Sequence, residues 1–284
     1  LLSLDRDVDD GSPDFSSALD SDNWASNNNL VQNDNPNPSQ GNRNTIVGEQ
    51  AGFSITTGFL NSIFGYKAGE SITTGYVSTF VGSRAGKSVT TGSFNTLIGH
   101  EVGESLTTGN SNTFVGNQAG QNATIGISNT FMGNRAGRNA ATGSANTVVG
   151  NVAGESLTTG NSNTFVGNQA GQNLTTGNKN TVVGNQAGKN LTTGDFITGV
   201  ANTFIGNAAG QSVTIGGNNT FVGDDAGTSI IDGNNQIVIG ESAQATAEDE
   251  VVLGNSLITH WRSGSDGVCD LGTSTNRFKD VYAV

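Results

Sequence analysis

Residues 163–179 read Asn-Thr-Phe-Val-Gly-Asn-Gln-Ala-Gly-Gln-Asn-Leu-Thr-Thr-Gly-Asn-Lys, and Asn180 begins the same pattern again. The first glycine of this unit recurs every 17 residues from Gly48 to Gly184, and it returns at Gly206 after one five-residue insertion. A short fixed period indicates one small supersecondary unit that stacks on copies of itself. We number each unit from its asparagine, so that Asn163 is position 1.

Glycine occupies positions 5, 9 and 15 of the unit, which are Gly167, Gly171 and Gly177 in the copy above. Tight turns need a positive φ or a close backbone approach, whereas three glycines per unit would cost a helix several kcal/mol. The sequence therefore predicts an all-β protein, a parallel β-solenoid (β-roll) of about twelve 17-residue coils over residues 44–240. An acidic non-repeat arm, 1–43, precedes it, and a terminal short coil with a C-terminal cap or junction segment, 241–284, follows.

Position 1 is asparagine in most coils, and this column predicts a ladder of side-chain amides that bond from coil to coil. The members of the column are Asn44, Asn61, Asn95, Asn112, Asn129, Asn146, Asn163, Asn180, Asn202 and Asn219.

The composition excludes several classes of protein. The net charge is −12, from 24 acidic and 12 basic residues, so the chain lacks the positive surface that nucleic acids and anionic membranes attract. No apolar run approaches the length of a membrane span. A single cysteine, Cys269, excludes a disulfide within the chain. Segment 1–43 carries −6 (eight acids, two bases) and segment 241–284 carries −4 (seven acids, three bases), so both ends are acidic.

Positions 3 and 4 are both apolar, and adjacent strand residues point to opposite faces. Because position 4 is mainly β-branched, we expect it to fill the coil core; its members are Val47, Val81, Val115, Val149, Val166, Val183 and Val222. Position 3 is then an exposed stripe that identical chains would cover as an inter-chain seam around a threefold axis. The seam residues are Phe80, Leu97, Phe114, Phe131, Phe165, Phe204 and Phe221. A monomer with a flattened coil remains the alternative.

The repeat resembles those of phage and algal-virus tail-fibre-like proteins and of secreted bacterial fibres. Residues 237–254 are similar to the 14-residue repeat of trimeric autotransporter adhesin heads, and residues 270–282 are similar to the segment that precedes the intramolecular chaperone domain of many tail fibres. These resemblances imply a left-handed β-roll in a homotrimer. The 17-residue period departs from the adhesin repeat and leaves the handedness and the cross-section of the coil open.

Motifs for enzymatic chemistry are weak. Residues 85–88, Ala-Gly-Lys-Ser, resemble the end of a phosphate-binding loop, but the preceding glycine has the wrong spacing and the same turn recurs elsewhere in the repeat. The two histidines, His100 and His260, stand in no metal-ligand or catalytic spacing. We therefore expect a protein that is not an enzyme and that has no cofactor.

The acidic arm contains the weakest of the candidate sites. Asp5, Asp7 and Asp9 resemble the start of a calcium loop, although the glycine and the glutamate of such a loop are missing at their places. A solvated acidic arm is the preferred interpretation, and structural Ca2+ at an acidic end is the alternative.

The predicted function is a structural or adhesive protein, the rigid shaft of an extracellular or virion fibre. Its expected partner is itself, with a surface glycan or host receptor as a further candidate, and without nucleic acid or membrane insertion. The alternative is an ice-binding or other surface-binding solenoid that uses the paired threonines of positions 13 and 14. These pairs are Thr56-Thr57, Thr73-Thr74, Thr90-Thr91, Thr107-Thr108, Thr158-Thr159, Thr175-Thr176 and Thr192-Thr193.

Two further features concern assembly. The first coils carry large apolar residues before position 1, namely Phe59, Leu60, Tyr76 and Phe94, and an open solenoid end must be capped. The arm, with Trp24, Leu30 and Val31, is the available cover. It would either fold back on its own chain or link molecules end to end into a filament.

The inserted residues 196–200 are expected to form a loop, because an extra residue within a strand would shift every column.

Overall fold

The computed structural model describes residues 30–33, 43–192 and 201–258, and every regular element within these ranges is a β-strand. The strands stack as successive coils of 17 residues, which confirms the predicted parallel β-solenoid of about twelve turns. Their bounds are β1 Leu30–Asn33, β2 Asn44–Val47, β3 Ser62–Phe64, β4 Thr79–Val81, β5 Thr96–Ile98, β6 Thr113–Val115, β7 Thr130–Met132, β8 Thr147–Val149, β9 Thr164–Val166, β10 Thr181–Val183, β11 Thr203–Ile205, β12 Thr220–Val222, β13 Gly227–Thr228, β14 Ile237–Ile239, β15 Gln244–Ala245 and β16 Val251–Leu253.

One sheet runs the length of the molecule. Thirteen of its fourteen strands are parallel, and each pairs with the next at the same position of the repeat, as in Phe165 with Val182. The register is unchanged across the insertion, where Val182 pairs with Phe204. The inserted loop itself lies outside the described residues, so its conformation stays a prediction. A constant register means that every column of the sequence is also a column in space.

The arm closes the first edge of this sheet. Strand β1 pairs antiparallel with β2 of the same chain, and Leu30 lies opposite Val47 while Asn33 lies opposite Asn44. Of the two placements left open by the sequence, residues 30–33 therefore take the fold-back. Trp24 and the three aspartates of the weak calcium motif lie outside the described residues.

The predicted core and seam assignments are wrong, because the two columns are exchanged. The predicted seam residues are fully buried inside the coils of their own chain: Phe80, Leu97, Phe114, Phe131, Phe165, Phe204 and Phe221. The predicted core residues lie at the outer surface, exposed or half-buried: Val47, Val81, Val115, Val149, Val166, Val183 and Val222. The cause is strand parity, because position 3 shares a face with the asparagine of position 1, which is buried.

A second inner wall completes the core and was missed from the sequence. Position 12 is aliphatic in every described coil, and in most of them its side chain is fully buried; position 8 adds a small residue, usually alanine. The buried members of position 12 are Ile72, Val89, Leu106, Ala123, Ala140, Leu157, Leu174, Leu191 and Val213. Two thin apolar walls facing each other are sufficient because each side chain also stacks on its copies above and below.

The asparagine ladder is confirmed. The side-chain nitrogen Nδ2 of Asn163 donates to the carbonyl oxygen of Gly177 in the same coil at 2.8 Å. The backbone N–H and the Nδ2 group of Asn180 both donate to Oδ1 of Asn163, each at 3.0 Å. Each buried amide therefore satisfies its own polar atoms and joins two coils, as a buried polar group must.

Glycine at position 5 lets the backbones of neighbouring coils touch. Gly48 has a φ of +130°, and a Cβ atom built on it would lie 2.5 Å from the carbonyl oxygen of Gly65. A side chain at this position would have to push two coils apart.

The period shortens at the far end of the solenoid. Ile237 pairs with Val251, 14 residues later, and Val238 with Val252, so the predicted short coil belongs to the same sheet. Strands β13 and β15 form a separate two-stranded sheet beside it. The stack of strands thus extends to Leu253.

Candidate functional surface

The outer face of the long sheet carries an apolar side chain at position 4 in every coil. We call this set the outer apolar column; it consists of Val47, Phe64, Val81, Ile98, Val115, Met132, Val149, Val166, Val183, Ile205, Val222, Ile239 and Leu253. Many of these side chains are more than one-third exposed, from 37% at Val166 to 48% at Leu253. The sequence analysis expected one such stripe and placed it at the neighbouring position.

The outer apolar column is long for a surface patch. Thirteen strands enclose twelve inter-strand spacings of about 4.8 Å, which gives a stripe about 58 Å long. With a width of one outward side chain, about 7 Å or two residues of strand, its area is about 400 Å², within the range of the largest apolar patch of a monomeric protein. A continuous apolar surface of this size is typical of an interaction site.

A hydroxyl column flanks the outer apolar column at position 2. It holds threonine from Thr79 to Thr220 in every coil, with Ser62 before it. None of these hydroxyls makes a hydrogen bond to another described residue. The outer face of the sheet thus presents one row of free hydroxyls beside one row of apolar groups.

The threonines of positions 13 and 14 differ from this row. The Oγ1 atom of Thr158 donates to the carbonyl oxygen of Thr175 at 2.9 Å, and Thr175 repeats the bond to Thr192 at 2.9 Å. Position 13 hydroxyls therefore hold consecutive coils together. Position 14 is interrupted by exposed isoleucines at Ile125 and Ile215. The paired threonines stabilise the turn and do not form a regular free array.

Charged side chains form a ladder along another part of the coil surface. Glu101 accepts hydrogen bonds from Gln118 and Gln121, both at 2.9 Å, and from Arg84 at 3.1 Å. The bond from Gln118 is the main reason why the pKa of Glu101 lies below its ordinary value, and the positive charge of Arg84 lowers it further. Arg135 pairs closely with Glu155. All these contacts join one coil to another, so the ladder supports the stack.

Two residues of the weak enzymatic motifs, Lys87 and His100, lie within the described coils. No group of three His, Cys, Asp or Glu side chains is placed to hold a metal ion there. The ring of His100 contacts only its neighbours in the side-chain ladders, Asn117 and Glu101, and His260 lies outside the described residues. Lys87 lies on the same repeated turn as Lys189.

Aromatic residues cluster at one corner of the first coils. The rings of Phe59 and Tyr76 stack at a centroid distance of 5.0 Å and an angle of 3°, and Phe94 meets Tyr76 edge-on at 5.1 Å. Leu60 and Val77 lie beside them, 44% and 41% exposed. We call these five residues, from positions 16 and 17, the corner patch. It contains the predicted capping residues Phe59, Leu60, Tyr76 and Phe94, and the structure brings them into one surface.

Searches with this chain found no matching protein-family model, curated protein or solved structure. Among the described residues there is no helix that could span a membrane. Inferences about function therefore depend on the surfaces described above.

Proposed function

We propose that this protein is a non-enzymatic structural protein, the stiff shaft of an extracellular or virion fibre, and that identical chains associate along the outer apolar column. The β-solenoid, a structural repeat fold, is established by the parallel sheet. The observation that carries the proposal is the continuity of the outer apolar column through all thirteen parallel strands.

Identical chains are the partner that this column fits best. Two copies of the chain present the same residues at the same spacing, so their columns match coil by coil once a single pair is aligned. Burying about 400 Å² per chain at about 25 cal/mol per Å² would contribute about 10 kcal/mol, before the cost of association is subtracted. A partner with a different repeat would lose this match within a few coils.

A threefold arrangement suits the shape of the column. The column is one residue wide, with hydroxyls at position 2 on one side and polar residues such as Asn134 and Asn168 at position 6 on the other. A narrow stripe can face a central axis while the polar flanks stay in water. The resemblance to trimeric adhesin heads supports the same number of chains. An end-to-end filament remains a prediction, and it would have to use surfaces other than the β1–β2 contact.

Binding to ice or to another crystalline surface is the second candidate. The observation in its favour is the row of free hydroxyls at position 2, since the paired threonines at position 13 are occupied by bonds between coils. This candidate requires the outer face of the sheet to be open to solvent. A monomer with clear thermal hysteresis in freezing assays would favour it over the fibre shaft.

The test of the proposed function replaces two neighbouring members of the outer apolar column by aspartate, Val149→Asp with Val166→Asp. If the column is buried between chains, two unpaired carboxylates per chain raise the dissociation constant of the oligomer by at least about 100-fold. Sedimentation velocity measures the loss of the oligomer, and circular dichroism shows whether the coils remain folded.

The matched control is Val152→Asp, a half-buried valine at position 7 outside the column. We expect this variant to keep the oligomer of the unmodified protein. An unmodified chain that sediments as a monomer at micromolar concentration would contradict the proposal, and so would an oligomer that the double variant leaves intact.

A further inference from the structure

We infer that two chains pair antiparallel along the outer apolar column, so that the large side chains of each chain lie against the valines of the other. The inference rests on the proposed association of identical chains along this column. A narrow column also suits the threefold axis proposed above, but the sizes of its side chains favour a twofold pair instead. We number the coils from 1, which begins at Asn44, to 12, which begins at Gln236.

Large and small side chains alternate along the outer apolar column from coil to coil. Every odd-numbered coil carries a valine at position 4, and these valines are Val47, Val81, Val115, Val149, Val183 and Val222. Every even-numbered coil except one carries a larger residue; the six members are Phe64, Ile98, Met132, Val166, Ile205 and Ile239. The period of this alternation is two coils, or about 9.6 Å. The inner column at position 3 does not share it, so the alternation belongs to the outer face.

The same alternation appears in the solvent exposure of these side chains. The members in even-numbered coils are 37% to 44% exposed, whereas the valines in odd-numbered coils are half-buried. Val166 follows its coil in this respect, because it is 37% exposed between the half-buried Val149 and Val183. The column is therefore a row of projections separated by shallow depressions.

Two such columns pack closely only when the projections of one face the depressions of the other. In a parallel pair or a threefold arrangement in register, each level of the contact brings together residues of the same coil. Phe64 would then meet Phe64, and Val81 would meet Val81. Crowded levels would alternate with loosely packed ones, and both are unfavourable.

An antiparallel pair with full overlap avoids this mismatch because the number of coils is even. Coil 1 then faces coil 12, coil 2 faces coil 11, and every even-numbered coil faces an odd-numbered one. Phe64 of each chain lies against Val222 of the other, and at the centre Met132 lies against Val149. A twofold axis gives each of these contacts twice, as in any pair of identical subunits with the same surface on both.

The alternation also selects the register of the pair. A slip of one coil would place even-numbered coils opposite one another. A slip of two coils would restore the match of sizes but would leave two coils of each chain uncovered. In the full overlap, the exceptional Val166 faces Val115, and two small residues leave a gap there without a clash.

The polar columns on both sides of the outer apolar column can pair with themselves. A twofold axis parallel to the strands brings position 2 against position 2 and position 6 against position 6. Hydroxyl and amide groups both donate and accept hydrogen bonds, so identical columns of them are complementary. Position 6 is an exposed asparagine in six successive coils, from Asn117 to Asn207. The one like-charged pair at position 6, Glu49 with Glu241, lies at the ends of the contact.

The whole face is large enough for a stable pair. Positions 2 to 6 span about 14 Å of strand, and twelve coils extend over about 58 Å, so each chain offers about 800 Å². Stable complexes of two proteins typically bury about 800 Å² per partner. The apolar column supplies about half of this area and the polar columns supply the rest.

Distances between spin labels distinguish the arrangements in the full chain. In a Cys269→Ser background, one label is placed at Thr74→Cys or, in the matched variant, at Thr142→Cys; both threonines are exposed at position 14, in coils 2 and 6. In the antiparallel pair the two copies of position 142 lie one coil apart along the solenoid, and those of position 74 lie nine coils apart, about 43 Å. We expect pulsed electron paramagnetic resonance to give a clearly longer distance for position 74.

The outcomes separate this inference from the proposed function. An oligomer with equal distances in the two labelled variants would overturn the antiparallel pair and leave the association of identical chains intact. A protein that sediments as a monomer would contradict both.

An exchange of sizes across the contact provides a second measurement. Val222→Phe places a large residue against Phe64 of the other chain and should raise the dissociation constant at least about tenfold. Adding Phe64→Val should return it to within about threefold of the unmodified protein. The control combines Phe64→Val with Val183→Phe, which faces Ile98, and should stay weak. Circular dichroism shows whether the coils remain folded, and equal affinities of the two double variants would overturn the inference.

Discussion

The inner and outer faces of the long sheet are built from neighbouring residues of the same strands, yet their side chains differ completely in burial. In β9, Phe165 is fully buried and the adjacent Val166 is 37% exposed. Both columns are apolar and continuous. The comparison shows that the hydrophobicity of a column does not indicate which face of the strand it occupies. The face is indicated by the spacing from the buried asparagine column, because residues two apart in a strand point to the same side.

The inner face also shows a compensation in volume that the outer face lacks. Phe114 and Phe131 share their coils with Ala123 and Ala140, whereas the smaller Val148 shares its coil with Leu157. In these coils a large residue on one wall goes with a small residue on the other, as expected for a close-packed interior. Other coils, such as those with Phe165 and Leu174 or with Leu97 and Leu106, have large residues on both walls. The outer apolar column has no second column in its own chain against which its sizes could balance.

The largest expected effect separates the two faces directly. Phe165→Ala should destabilise the folded chain by about 3–5 kcal/mol, because it leaves a cavity between two walls that are already thin. Val166→Ala should cost the folded chain about 1 kcal/mol or less, because within its own chain this side chain is only partly buried. Thermal and urea unfolding measured by circular dichroism give both values. Equal losses in the two variants would contradict the assignment of the faces.

Most of the fold could be predicted from the period and the glycine columns. The strands, their parallel register, the asparagine ladder and the short terminal coil all follow from spacing, because a constant register turns each sequence column into a spatial one. The assignment of the faces failed because β-branched residues at position 4 were interpreted as core. The necessary signal was present: the ladder requires Asn163 to be buried, and Phe165, two residues later, shares its face.

The corners of the coils could not be predicted in the same way. Positions 7 and 17 adopt φ values between 52° and 69° in residues as different as Lys67, Val77 and Glu101. Nothing in these side chains indicates a left-handed backbone, since glycine is absent from both positions. Closure of the coil imposes the conformation, and its cost is compensated by the hydrogen bonds and packing of the whole stack.

A smaller loss of stability is expected when a buried asparagine, Asn146, is replaced, and an exposed asparagine, Asn134, provides the comparison. Asn146 donates to Gly160 and accepts two bonds from Asn163 at 3.0 Å. Asn146→Ala leaves these buried groups without partners and should destabilise the protein by about 2–3 kcal/mol. Asn134 makes only an exposed bond to Asn117 at 3.0 Å, so Asn134→Ala should change stability by less than about 0.5 kcal/mol. A comparable loss in both melting curves would show that the inner ladder has no special role.

The smallest expected effect concerns the outer surface alone, and it is an increase in the stability of the protein where the other variants lower it. Val152, at position 7, is a β-branched residue with a φ of 59°, where asparagine is tolerated far better. Because its side chain is only half-buried, Val152→Asn should relieve more strain than it loses in apolar contact and should stabilise the protein by about 0.5–1 kcal/mol. Gln169→Asn, at the same position of the next coil with a φ of 58°, replaces an unbranched residue and should stabilise by less. The order of the two melting temperatures is the measurement. A melting temperature of Val152→Asn below that of the unmodified protein would contradict this prediction. The apolar contacts of Val152 would then stabilise the protein by more than its backbone strain costs.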